Sequence, residues 1–79
     1  MSELSERVLS ITTDYIGPAS RRFLERQTQY HLDGLKLDDI TKKDLSELAK
    51  WIKISAGLLI DKDRAQELAD KVTALSQIF

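Results

Sequence analysis

The chain has 79 residues, which suits one small domain, because a chain of this length buries only about 60% of the surface that its unfolded form exposes. It contains no cysteine, which excludes disulfides and thiolate metal sites. Thirteen acidic and twelve basic side chains nearly cancel, so no strong field of one sign attracts nucleic acid or an anionic membrane.

Segments that would direct the chain to a membrane are not recognisable in the sequence. No apolar run approaches the roughly 20 residues that a spanning helix needs, and the start Met1-Ser2-Glu3 lacks the pattern of a signal peptide. We expect a single helical domain over residues 1–79, located in the cytoplasm and without membrane contact.

The first predicted helix covers about residues 3–15. Ser2 can cap it, because its hydroxyl can accept from an unpaired amide one turn later. Apolar residues recur at helical spacing along one face: Leu4, Val8, Ile11 and Tyr15, with Leu9 and Ile16 widening the stripe.

Gly17-Pro18 forms a structural corner between the first two helices. Glycine tolerates a left-handed cap conformation, and proline ends one helix and is pre-organised for the first position of the next. The second helix is predicted over about 18–32, with Gly34 as its terminator. Its inward residues are predicted to be Ala19, Phe23 and Tyr30, with part of Leu24 and Thr28.

Residues 33–40 are predicted to form a loop that apolar side chains hold against the core: Leu35, Leu37 and Ile40. Thr41 and Asp44 resemble a capping box at the start of a third helix over about 42–60. The inward stripe of this helix is Leu45, Leu48, Ala49, Ile52, Ala56, Leu59 and Ile60.

The fourth helix is predicted over about 62–78, after the polar break from Asp61 to Asp63, which can cap it. Its apolar stripe is Ala65, Leu68, Ala69, Val72, Leu75 and Phe79. Short connections favour neighbouring helices that pack back on one another, so the predicted fold is an all-α, compact bundle of four short helices.

The residue types that carry catalysis or hold ligands are scarce. His31 is the only histidine and lies near the end of helix two, where a cationic imidazole suits the helix dipole, so we predict that it caps or packs rather than accepts a phosphoryl group. One histidine and no cysteine are too few for an ordinary zinc site. A calcium loop and a phosphate-binding glycine loop are missing. We predict no catalytic residue, metal site or cofactor, and therefore no enzyme.

Basic residues on helices two and three could form a DNA-binding surface: Arg21, Arg22, Arg26, Lys42, Lys43, Lys50 and Lys53. Acidic residues are interleaved with them. Glu25 follows Arg21 by four positions, and Glu47 lies four after Lys43 and three before Lys50. This spacing favours an ion-paired, solvated face over contact with nucleic acid.

Trp51 lies one position off the main stripe of helix three, so it either covers the core edge or stands in a contact surface. The stripe of helix four continues to the last residue, and a small core has limited room for it. The candidate interaction surface is therefore Trp51, Leu68, Val72, Leu75 and Phe79. A weak homodimer around a two-fold axis is one form that such an interaction could take.

Two stretches of the chain resemble a known module. Tyr15-Ile16-Gly17-Pro18-Ala19, continuing through Phe23-Leu24, resembles a small helical module at the ends of bacterial signalling proteins, including serine/threonine kinases, notably in cyanobacteria. Ile40-Thr41, Asp44-Leu45, Leu48-Ala49 and Trp51 look like its second half. The resemblance implies a regulatory or interaction role without catalysis, in a free-standing relative or an excised tail.

The predicted function is a non-enzymatic protein–protein interaction or regulatory module in bacterial signalling, acting on a protein partner. A small helical DNA-binding regulator is the alternative. Retention on DNA that weakens steeply with salt would distinguish the two.

Overall fold

Four α-helical stretches dominate the computed structural model, which describes residues 1–79 and contains 80% helix and no strand. The predicted all-α class is confirmed. The α-helical stretches are α1 (Glu3–Ile16), α2 (Ser20–His31), α3 (Leu45–Ala56) and α4 (Lys62–Ala74). Single 3-10 turns lie at Gly17–Ala19, Leu37–Asp39, Lys42–Asp44 and Leu75–Gln77.

The prediction of four separate helices is wrong. The turn Gly17–Ala19 is itself helical and joins α1 to α2 without a break. The long helical segments are therefore three, over residues 3–31, 42–56 and 62–77, and the first of them is bent.

The bend depends on the backbone of Gly17, which has φ 82° and ψ −149°. This is not the left-handed helical conformation that the sequence predicted, but a region that essentially only glycine occupies. Pro18 lies in the first turn of the next element, as predicted. The Ser20 hydroxyl donates to the carbonyl of Gly17 at 2.7 Å, which holds the turn closed.

The helices form a closed ring around one apolar core, because α1 contacts α2 and α4, and α3 contacts α2 and α4. The contact between α3 and α4 is the most extensive. Sixteen buried apolar side chains form a single cluster inside this ring. On α1 the fully buried face is Leu4, Val8 and the polar Thr12, whereas Ile11 and Tyr15 are only partly buried.

The inward face of α2 differs from the prediction. Ala19 is exposed, and the Tyr30 side chain is 71% exposed. The buried positions instead follow a regular helical stripe that includes polar residues: Ser20, Phe23, Leu24, Gln27 and Thr28. Phe23, Leu24 and Thr28 are buried as predicted. The apolar pattern missed Ser20 and Gln27 because they are polar; the Gln27 amide is buried while it donates to the Phe23 carbonyl at 3.3 Å.

The predicted connector and caps are present. Leu37 and Ile40 are buried, which holds the connector on the core. The Thr41 N–H donates to the Asp44 carboxylate at 2.8 Å in a capping box. The Asp61 carboxylate accepts from the Arg64 N–H at 2.8 Å and caps α4.

Helix α3 ends at Ala56 and not at Ile60 as predicted. Glycine is a poor helix former, and Gly57 is followed by a turn whose length is set by the cap of α4 at Asp61. Leu59 is 63% exposed instead of continuing the inward stripe, while Ile60 packs partly against the core.

A cationic clamp on Tyr15 joins α1 to α4 at the surface. The Arg64 guanidinium carbon and the Lys71 nitrogen lie 5.0 and 5.1 Å from the centre of the Tyr15 ring. Interaction with the Tyr15 side chain raises the pKa of Lys71 above its usual value. A lysine is protonated around neutral pH even at its ordinary pKa of about 10.4, so the clamp is present there.

Replacing Gly17 with alanine should lower the free energy of unfolding by about 1–3 kcal/mol, because a side chain strains this conformation. A Cβ atom would meet no neighbour within 4 Å, so the backbone alone sets the cost. Urea melts measure the change. A synthetic chain with D-alanine at this position is the control and should keep wild-type stability. An unchanged midpoint for Gly17→Ala would contradict the bend.

Candidate interaction surface

An apolar ridge stands on the surface where α3 ends. Ile54, Leu58 and Leu59 are 51%, 87% and 63% exposed, and they lie within six residues of one another. Isolated exposed apolar residues are ordinary, but a contiguous group ringed by polar residues is typical of an interaction site. Leu58 is the most exposed of the large apolar side chains in the chain.

The hydrogen bonds of the turn after α3 explain why these leucines point outward. The Gly57 N–H donates to the Lys53 carbonyl at 3.1 Å, and the Leu58 N–H donates to the Ser55 carbonyl at 3.2 Å. The Ile60 N–H donates to the Ala56 carbonyl at 2.8 Å. This tight turn directs Ile60 toward the core and leaves Leu58 outermost.

Two shallow hollows flank Leu58, which lines both. The first, of about 310 Å³, lies on the α4 side and is lined by Lys53, Ile54, Gly57, Leu58 and Lys62. The second, of about 270 Å³, lies between α2 and α3 and is lined by Ala19, Arg22, Phe23, Arg26, Gln27, Ser55, Leu58 and Leu59. No acidic side chain lines either hollow.

Four bases surround the ridge: Arg22, Arg26, Lys53 and Lys62. All four are exposed, and none of them belongs to an ion pair of the structure. We call the three apolar residues Ile54, Leu58 and Leu59, together with these four bases, the Leu58 patch. The patch is locally cationic in a chain whose formal net charge is −1.

The predicted ion pairing of the basic helices is only half correct. Arg21 pairs with Glu25 at 3.4 Å and approaches Asp38 at 3.9 Å. Glu47, expected to neutralise the lysines on both sides of it, forms no ion pair and instead accepts from the Trp51 indole N–H at 3.2 Å. Lys43 and Lys50 are therefore less neutralised than the spacing predicted.

His31 and Trp51 stack face to face where α2 meets α3. Their ring centres are 3.8 Å apart, and their planes differ by 5°. The Lys50 nitrogen lies 5.2 Å from the centre of the Trp51 ring. His31 therefore packs, as one of the two predicted roles requires, and Trp51 is half-buried beneath it.

The largest hollow of the molecule, about 460 Å³, lies between α2 and the connector. Only two of its nine lining residues are apolar, and Arg21, Glu25 and Asp38, which line it, are the residues of the two ion pairs just described. This hollow thus offers neither an apolar surface nor unpaired charge comparable to the Leu58 patch.

The candidate surface predicted from helix four is wrong for three of its five residues. Leu68, Val72 and Leu75 are 0%, 0% and 3% exposed and belong to the core. Phe79 is 37% exposed, with the Arg7 guanidinium 6.0 Å from its ring centre. The ring of helices has room for the stripe through Leu75, so this part of it is not available to a partner.

Sequence reasoning missed the exposed leucines because it continued helix three through them. One signal was present: Gly57 is followed by three apolar residues and then by Asp61, a capping residue. Three consecutive apolar residues in a turn cannot all face one core, so at least one of them had to be exposed.

Other kinds of site are not assembled in the structure. No three His, Asp or Glu side chains come together in a group that could hold a metal ion. No helix combines the length and the apolar character needed to cross a membrane. Comparisons with protein-family models, with curated proteins and with solved structures give no match for this chain.

Leu75→Asp should unfold the chain, because it places a charge at a 3% exposed core position at a cost of several kcal/mol, comparable to the whole stability of a small domain. Ile78→Ser, three residues later at a 66% exposed position, is the matched control and should keep the wild-type circular dichroism spectrum. A Leu75→Asp variant that keeps its helical spectrum would contradict the burial of this stripe in the core.

His31→Gln should lower the free energy of unfolding by about 1 kcal/mol and leave helicity intact, because it removes one ring of a stacked pair. Tyr30→Gln, at the neighbouring 71% exposed position, should have little effect. Urea melts followed by Trp51 fluorescence measure both variants. Uptake of phosphate from acetyl phosphate that disappears with His31→Gln would contradict a packing role.

Proposed function

We propose that this chain is a non-enzymatic protein–protein interaction module of bacterial signalling that docks a partner through the Leu58 patch. The observation that carries the proposal is the 87% exposure of Leu58 between two hollows. Contact of such a side chain with water is unfavourable, and burying it under a partner contributes about 1.5–3 kcal/mol to the free energy of binding.

An interface of typical size would cover a substantial part of this small chain. A typical interface covers about 800 Å² on each side, which is about a sixth of the 4918 Å² accessible surface of this chain. Apolar residues at the centre and charged residues at the rim also follow the usual organisation of protein interfaces.

The resemblance to modules attached to bacterial kinases supports the signalling part of the proposal. The residues that carry it lie mainly at the Gly17 bend and in the first turns of α3. These positions shape the fold, and the bend brings Arg22 and Arg26 of α2 beside Leu58. A module of this shape would act by holding a partner and not by chemistry.

A DNA-binding regulator remains the second candidate, because four exposed bases without acidic partners share one surface. The apolar centre of that surface is unfavourable for binding DNA. Phosphates would have to lie against Leu58 and Leu59, whereas DNA-binding surfaces place polar and cationic groups there.

Leu58→Ser should weaken capture of a partner from a lysate of the source bacterium by about tenfold, since one buried leucine contributes about 1.5 kcal/mol or more. Immobilised wild-type, Leu58→Ser and Ile78→Ser chains are compared by quantitative mass spectrometry. Ile78→Ser, which removes an exposed apolar side chain elsewhere, should behave like wild type. Thermal melts should show all three equally stable.

Capture that is equal for the wild-type and Leu58→Ser chains would contradict docking through the patch. Retention of the wild-type chain on duplex DNA, weakening by orders of magnitude between about 50 and 200 mM salt, would favour the DNA-binding alternative instead.

A further inference from the structure

We infer that the Leu58 patch recognises an acidic amphipathic helix, whose apolar side chains enter the two hollows and whose carboxylates pair with the surrounding bases. This inference rests on the proposed docking function and specifies its partner by charge and shape. Four observations carry it: the sign of the rim, the exposure of the ridge, the two hollows and the repulsion between two copies.

The charge of the partner follows from the rim. Arg22, Arg26, Lys53 and Lys62 surround the ridge, no acid lines the hollows, and no ion pair neutralises these four bases. Interfaces match positive surface with negative surface, because uncompensated like charges cost several kcal/mol. The matching partner carries carboxylates around an apolar centre.

A second copy of the same patch does not satisfy this requirement. In a two-fold dimer the same surface faces itself, so the four bases of one copy would lie against the four bases of the other. A homodimer through this patch is therefore disfavoured by charge, even though its apolar centre is self-complementary.

The shape of the partner follows from the ridge. Leu58 separates hollows of about 310 and 270 Å³, at or below the lower limit of about 300 Å³ for small-molecule sites. Each hollow thus suits a side chain better than a whole ligand. A helix presents apolar side chains one turn apart on the same face, which allows two of them to straddle a leucine.

Anionic lipid and nucleic acid share the negative charge but fit the shape less well. A bilayer surface does not project side chains into two separate hollows, and interfacial binding needs a broader apolar face than three residues provide. Nucleic acid would leave Leu58 without an apolar partner. Charge and shape together favour the acidic helix.

The test uses a labelled synthetic peptide of about 18 residues, five helical turns. It has leucines along one face and glutamates elsewhere, and a second peptide has lysine at every glutamate position. Fluorescence anisotropy with the full chain gives affinities, and amide shifts of the isotope-labelled chain locate the site. The acidic peptide should bind about tenfold tighter than the lysine peptide, with shifts centred on residues 54–62 and 19–27.

Three variants of the chain assign the binding to the patch. Leu58→Ser should lower the affinity of the chain for the acidic peptide by about tenfold. Arg22→Glu combined with Arg26→Glu should abolish the preference, because two bases, Lys53 and Lys62, and two acids then surround the ridge. Lys42→Glu combined with Lys43→Glu makes the same change in net charge at the opposite end of α3 and should leave the preference unchanged.

Equal affinity of the wild-type chain for both peptides, or loss of the preference in the Lys42 and Lys43 control, would overturn the inferred acidic partner. The inference would also be overturned if the acidic peptide does not bind while vesicles containing phosphatidylglycerol, or duplex DNA, bind to the chain through Arg22 and Arg26. If neither peptide binds but capture from the lysate still depends on Leu58, the helical partner is wrong and the docking function stands. Capture that is independent of Leu58 would overturn both.

Discussion

The bend at Gly17 is the constraint on which the rest of the structure depends. A straight α-helix over residues 3–31 would extend about 40 Å at 1.5 Å per residue, whereas the longest dimension of the molecule is 28 Å. The backbone conformation of Gly17 folds α2 back so that it contacts α1 and also reaches α3. Without this bend the four helices would not form a closed ring, and Arg22 and Arg26 would not lie beside Leu58.

Much of the fold could be predicted because local rules determine it. Capping by Ser2 and Asp61 and the capping box of Thr41 depend on residues within one turn of each other. The inward stripes of α3 through Ala56 and of α4 through Leu75 were correct for the same reason, since their buried residues are apolar. The face of α2 was predicted only in part, because the periodicity of apolar residues does not detect the buried polar residues Ser20 and Gln27.

The candidate surface could not be predicted from the sequence of any one helix, because it depends on how the helices pack together. The turn after Ala56 is set by the need to begin α4 beside α3, so whether a leucine there faces inward is decided by tertiary packing. The stack of His31 on Trp51 likewise joins residues of two helices. Conversely, the stripe of helix four was taken for a contact surface because sequence does not show how much core the ring encloses.

The buried polar groups have a further consequence for how this fold is specified. Thr12, Ser20 and Thr28 each donate to a carbonyl of their own helical segment, and no buried side-chain polar atom lacks a partner. Only one hydrogen bond joins side chains of two α-helices, from Ser55 to Gln27 at 2.9 Å. Apart from the stack of His31 on Trp51 and the clamp on Tyr15, which lie outside the core, the helices are arranged by apolar packing without direction. Such packing accepts exchange of one apolar residue for another of similar volume. Two chains with this fold could therefore differ at most of their core positions and still adopt the same arrangement.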